Sequence, residues 1–99
     1  MKGMKWDQEK AKWYLLPLDI IEEVVKVLTF GARKYADNNW QIVVSEEGGV
    51  DRYYSAMMRH VRAWQSGEIY DKETGIHHFA HAMCCAIFIM WYDKQKEKK

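Results

Sequence analysis

The stretch that decides the fold is Ile76-His77-His78-Phe79-Ala80-His81-Ala82-Met83-Cys84-Cys85-Ala86-Ile87-Phe88-Ile89-Met90-Trp91-Tyr92-Asp93-Lys94. Between Phe79 and Tyr92 it holds no charged residue, and its apolar groups cover nearly every direction around a helix rather than one stripe. Such a helix belongs in the middle of a small protein. Its apolar run is about half the length needed to span a bilayer. A central helix needs amphipathic neighbours, and two more are legible. From about Leu18 to Tyr35, Ile20, Ile21, Val24, Val27, Leu28 and Gly31 recur at helical spacing behind Pro17, which suits a first helical turn. From about Val50 to Gln65, Tyr53, Ala56, Met57, His60, Val61 and Trp64 do the same, closed by Ser66 and a C-terminal Gly67.

These helices predict an all-α bundle, completed by a short helix or by a second copy of the chain. One domain over residues 1–99 is expected, with an N-terminal arm (1–17), a helical core (18–94) and a frayed basic tail (95–99). The arm is read as extended, with Trp6, Trp13 and Tyr14 laid on the body. Residues 36–40 read as a turn, 41–44 as a short β-like stretch, and 45–49 as a flexible turn.

Composition narrows the class. Of 99 residues, 48% are hydrophobic and 14% aromatic, which excludes a disordered chain. A domain of this size has a thin core, so a homo-oligomer is expected to cover part of the aromatic surface. Fifteen basic residues against 14 acidic ones give a net charge of +1, too balanced to favour a nucleic-acid polymer or a membrane surface. Cys84 and Cys85 are adjacent, point about 100° apart on a helix and sit among apolar residues, so they read as buried reduced thiols. With no leader visible, a cytoplasmic location is expected.

Three groups could carry chemistry. Asp19, Glu22, Glu23 and Lys26 share a helix face; spacing alone favours a solvated face with Glu22 paired to Lys26, and the same face would suit a hard cation. His77, His78 and His81 place either of two pairs on one side of a helix, which suits a metal or, equally, a core histidine plus a helix cap. Asp71, in the acidic loop Glu68–Glu73, could ligate metal, orient an imidazole, or open an Asp-x-x-Thr-Gly turn. Phosphate-binding glycine loops and zincin motifs are absent from the sequence.

Several segments together resemble one family. They are Lys5-Trp6-Asp7-Gln8 with Leu15-Leu16-Pro17; Lys26 to Tyr35 (KVLTFGARKY) with Asn39-Trp40; Arg59-His60; Gly67-Glu68 and Asp71; and Thr74-Gly75 with His78 to Cys85 (HFAHAMCC). In order and spacing, from Lys5 to Trp91, they resemble the phage dATP/dGTP diphosphohydrolases, which are similar to the MazG-like all-α nucleoside triphosphate pyrophosphohydrolases. The resemblance implies a metal-dependent enzyme cutting a purine dNTP into the monophosphate and pyrophosphate. It implies Mg²⁺ or Mn²⁺ held by Asp19, Glu22, Glu23, Asp71, His78 and His81, with Glu22 or Glu23 positioning water. It implies a nucleotide seat of Lys26, Lys34, Tyr35, Asn39, Trp40, Arg59 and His60. Two departures stand out: His78-x-x-His81 replaces a Glu-x-x-Asp pattern, and Glu9 and Ala11 replace Gly and Pro. Histidines favour softer metals than Mg²⁺. The alternative is a non-catalytic, sponge-like nucleotide binder on the same scaffold.

Overall fold

A computed structural model describes residues 10–98. Four α-helices carry the fold: α1 (Leu18–Lys34), α2 (Asn39–Ser45), α3 (Gly49–Gln65) and α4 (His78–Glu97). A single 3-10 turn, Trp13–Leu15, precedes them. The protein is all-α as expected; among the described residues the one β feature is an isolated antiparallel bridge between Tyr70 and His77.

The central position of α4 follows from its sequence. It packs against α1, α2 and α3, and supplies Ala80, Ala82, Cys84 and Cys85 to the buried core. Val24 of α1 meets Ala80 and Cys84, with Val27, Leu28, Ile76 and Phe88 around them. The Cys84 thiol donates to the carbonyl of Val24 at 3.5 Å, which ties the two helices together. Antiparallel α3 pairs its aromatic residues with α4 in register: Tyr53 with Phe88 and Trp64 with Phe79, ring centroids 4.9 Å apart in each pair.

Three expectations are corrected. Residues 41–44 are helical, inside α2; Val44 is wholly buried there, and Trp40 stacks on Phe88 at 4.5 Å. The β-branched residues 42–44 favour strands only weakly, and burial against α3 and α4 overrides that preference. The arm is not laid on the body at Trp13 and Tyr14, which are 78% and 80% exposed; Trp6 lies outside the described residues. Finally, α4 continues to Glu97, through most of the segment expected to fray.

With a radius of gyration of 16.3 Å, the molecule is more extended than the roughly 13 Å of a compact chain of this length. One face of α4 (Phe79, Met83, Ile87 and Met90) accordingly remains exposed. None of the described helices is long and apolar enough to cross a membrane.

Two predictions test this packing. A Cβ on Gly49 would strike the Val43 carbonyl oxygen and crowd Val44, both backbone, so nothing flexible can yield. Gly49→Ala is expected to cost about 1–3 kcal/mol in urea unfolding, whereas Gly→Ala in an unencumbered helix gains stability. Burial pushes Cys84 up to about 12 and Cys85 up to about 11. Iodoacetamide at pH 8 is therefore expected to leave both thiols unlabelled in the native protein and to label both in guanidinium.

Candidate functional site

The site grows from the way α3 ends. Gly67 takes a left-handed φ of 105°; its N–H donates to the Trp64 carbonyl, and the Glu68 N–H reaches back to Ala63. This double closure turns the chain sharply and delivers Glu68 beside the start of α4. The loop then folds on itself. Asp71 N–H donates to Ile76, Gly75 N–H to Asp71, and His78 N–H to Ile69. The Asp71 carboxylate pins the bend: its Oδ2 accepts from the backbone N–H groups of Glu73 (3.1 Å) and Thr74 (3.0 Å) and from the Thr74 hydroxyl (3.2 Å). The Asp-x-x-Thr-Gly turn is therefore real, and it leaves Asp71 Oδ1 outside those bonds.

The three histidines of the motif divide their tasks. His77 caps α4, its Nδ1 accepting from the Phe79 N–H at 3.0 Å. His78 is buried, 4% exposed, with Nδ1 only 2.9 Å from Nδ1 of His60 on α3. Its Nε2 is fully buried without a hydrogen-bond partner and lies 3.6 Å from a Glu68 carboxylate oxygen. His81 lies nearly parallel to the His60 ring, with a 4.5 Å centroid separation and a 9° tilt. Thr74 Oγ1 sits 2.7 Å from His81 Nε2. A hydroxyl has one proton to give. The ionised Asp71 carboxylate is the stronger acceptor, so Thr74 donates there and accepts from His81 Nε2–H. The remaining lone pair of neutral His81 is then on Nδ1.

His60, Asp71 and His78 each place a ligand atom within 4.8 Å of the others. Electrostatics favour a neutral His60 imidazole beside an ionised Asp71, the state that accepts a metal. Burial lowers the pKa of His60, helped by His81 and His78. Burial also lowers His81, against the opposing pull of Asp71. Burial alone would raise Asp71, but its Thr74 hydrogen bonds and the neighbouring His81 and His60 hold it below its ordinary value.

Beside this cluster runs an open groove of about 840 Å³ between α1, α2, α3 and α4. Lys34, Tyr35, Asn39 and Trp40, all expected at a nucleotide seat, line it together with Arg52, Glu73 and His81. His81 thus lines the groove and stacks on His60 of the cluster. Lys34 crosses the groove mouth to Glu73 at 3.2 Å, and its ammonium lies 5.5 Å from the centre of the Tyr35 ring.

The other expected residues lie elsewhere. Asp19, Glu22 and Lys26 are exposed on α1 and line neither groove nor cluster; neither does Glu23. The α1 ion pair is Lys26 with Glu23, at 2.8 Å, rather than with Glu22. Arg59 is exposed and outside the groove. His60, expected at the nucleotide, stands in the cluster instead. The sequence offers Arg52 as one of several basic residues able to clamp phosphate and Glu68 as an extra acid for a metal, without placing either; Thr74 it misses as a site residue. For Glu68 the signal was available, since a Gly67-terminated helix throws the next residue back over its own end.

A family model described as dATP/dGTP diphosphohydrolase, N-terminal, matches residues 1–99. The chain belongs to this family. A phage relative, the dATP/dGTP diphosphohydrolase of Salmonella phage PMBT28, is 40% identical over 91 residues. That match covers 92% of this chain but 30% of the relative, so the chain spans under a third of that protein's length. No solved structure matches the chain.

The lowered histidines dictate a pH dependence. Their folded pKa values lie below the ordinary 6.5, so the unfolded chain takes up protons first as pH falls. Their contribution to stability is complete above about pH 6.5 and is lost as pH drops through the folded values. In EDTA, the melting temperature is expected to fall between pH 7.5 and 5.5. In the His60→Gln/His81→Gln variant this part of the profile is expected to flatten.

Proposed function

We propose that this chain carries the site of a metal-dependent nucleoside triphosphate diphosphohydrolase, splitting a purine deoxynucleoside triphosphate into the monophosphate and pyrophosphate. The carrying observation is that a nucleotide-sized groove bearing Lys34, Tyr35, Asn39, Trp40 and Arg52 also bears His81, whose ring stacks on His60 of the His60–Asp71–His78 cluster. Family membership and the name of the phage relative support the substrate class.

Of the two metals implied by resemblance, Mn²⁺ rather than Mg²⁺ suits the imidazoles of His60 and His78 with Asp71, because Mg²⁺ takes oxygen ligands. The cluster combines two imidazole nitrogens facing each other at 2.9 Å with an ionised carboxylate held in place. Bound there, it would supply charge neutralisation to the phosphates.

The chain's own groups do the rest. Lys34 exchanges its exposed Glu73 partner for phosphate oxygens, and Arg52 adds a planar donor fork from α3. Tyr35, 66% exposed at the rim, offers its ring to the base. Trp40 is already engaged by Phe88 and by the edge of Trp91, so it forms the wall behind the base. His81, neutral and with Nδ1 as its basic atom, takes the proton of the attacking water. In this reading water activation moves from Glu22 and Glu23 to His81.

The test is turnover of each dNTP and NTP with added Mg²⁺ or Mn²⁺, the products resolved by ion exchange. Monophosphate plus pyrophosphate is expected, in a metal-dependent manner. His81→Asn is expected to lose about 10²–10⁴-fold in kcat. Lys34→Ala is expected to raise KM, and the Glu22→Gln/Glu23→Gln variant to stay within a few-fold of wild type. Nucleotides bound but left intact under every condition would replace this reading with the sponge-like binder.

A further inference from the structure

The donor atoms around His78 point to a specific kind of ion. His60 Nδ1 and His78 Nδ1 face each other at 2.9 Å. Two imidazole lone pairs at that distance repel unless something positive lies between them. Nitrogen ligands on one ion, with bonds of about 2.1 Å, sit about 3.0 Å apart at a right angle and about 3.4 Å apart in a tetrahedron, so the contact is close to ligand spacing and suits a five- or six-coordinate ion best. The orientation of His78 agrees with ligation through Nδ1. Its Nε2 is buried, without a hydrogen bond, and turned toward Glu68 Oε2 at 3.6 Å. A carboxylate on the far nitrogen of a ligating histidine fixes the tautomer that frees the other nitrogen. Asp71 is prepared in the same way. Thr74 and two backbone N–H groups occupy Oδ2, so Oδ1 is left to complete a set of two nitrogens and one oxygen.

We propose that His60, His78 and Asp71 form a binding site for a late first-row transition-metal ion, of the Zn²⁺ or Co²⁺ class, with Glu68 as the positioning residue behind His78. Imidazole donors favour such ions, whereas Mg²⁺ takes oxygen ligands and keeps its water. The acids of α1, which would suit Mg²⁺, stand on another surface, and Glu23 is paired with Lys26 there. The site also explains why the loop between α3 and α4 spends its polar groups on Asp71 and places an acid at position 68. The metal's use in turnover rests on the diphosphohydrolase reading; its binding does not, and it is measured without nucleotide.

The experiment uses untagged, EDTA-stripped, dialysed protein titrated with Co²⁺, followed by visible absorption and by calorimetry. One equivalent is expected to bind and to develop ligand-field bands, to be displaced by Zn²⁺, and to be unaffected by millimolar Mg²⁺. His60→Ala and Asp71→Asn are expected to weaken binding at least 100-fold. Glu68→Gln is expected to weaken it 10–100-fold and to shift the bands, with Glu68→Asp recovering part of the loss. Unfolding of each stripped variant is recorded alongside, and a band shift in Glu68→Gln at unchanged melting temperature separates positioning from structural support. Should His78→Ala fail to fold, His60→Ala and Asp71→Asn still decide the matter. No saturable Co²⁺ binding, or binding that survives His60→Ala and Asp71→Asn, would overturn the proposal. So would displacement by Mg²⁺. In each case the His60–His78 contact would be a proton-sharing hydrogen bond of the core.

Discussion

Burial of the His78 ring is the constraint on which the rest of the site depends. An imidazole taken out of water must find partners or lose stability, and His78 lies under the first turn of the most buried helix. One partner, His60, comes from α3. The other direction is covered by Glu68, which is there because α3 ends in a left-handed glycine. His78 also donates its backbone N–H to Ile69, so the same residue starts α4 and closes the loop that precedes it. Helix entry, loop geometry and functional cluster are therefore one problem with one solution. Mutations in this loop will act on stability and on the site together.

The groove comes from a different economy. Helix α2 is only seven residues long and cannot cover α1 and α4 along their lengths. It fills the gap with Val44 and with Trp40 against Phe88, while the close approach of Gly49 to Val43 and Val44 sets how near α3 can come. Beyond Trp40 the bundle stays open, and the residues around the opening are the C-terminal end of α1 and the turn after it. A thin bundle thus provides both the missing wall and the polar groups around it, without any dedicated binding domain.

Which of this was legible follows from the range of each signal. The three long helices follow from hydrophobic period, and the buried thiols from the apolar run around them. The turn at Asp71 follows from residue chemistry within five positions. Residues 41–44 were misread because Ile42, Val43 and Val44 carry strand preference locally, while their helix is imposed by contacts 40–50 residues away. The arm was misread for the converse reason: Trp13 and Tyr14 are apolar, but no element of the described fold lies where they could pack. The histidine motif was visible, yet its division of tasks was not. A core histidine plus a helix cap stood against a metal pair as accounts of the motif; in the structure His77 is the cap and His78 is buried within the cluster. His60 joins it from 18 residues away, a distance no helical spacing can report.

Position 81 connects the two halves of the site, and its hydrogen bonds constrain what it can do. Thr74 fixes the proton on Nε2, Asp71 fixes Thr74, and the backbone of the loop fixes Asp71. A ring held through one nitrogen can exchange protons only through the other. Stacking against His60 keeps it parallel to a ring of the His60–Asp71–His78 cluster, so rotating out of the groove would cost it both contacts. Nδ1 therefore has a defined place beside the groove. Nothing comparable holds on α1, where Glu22 is exposed and the Glu23 carboxylate is held only by the exposed Lys26. The stronger physical case for directed proton transfer lies with the residue the fold immobilises.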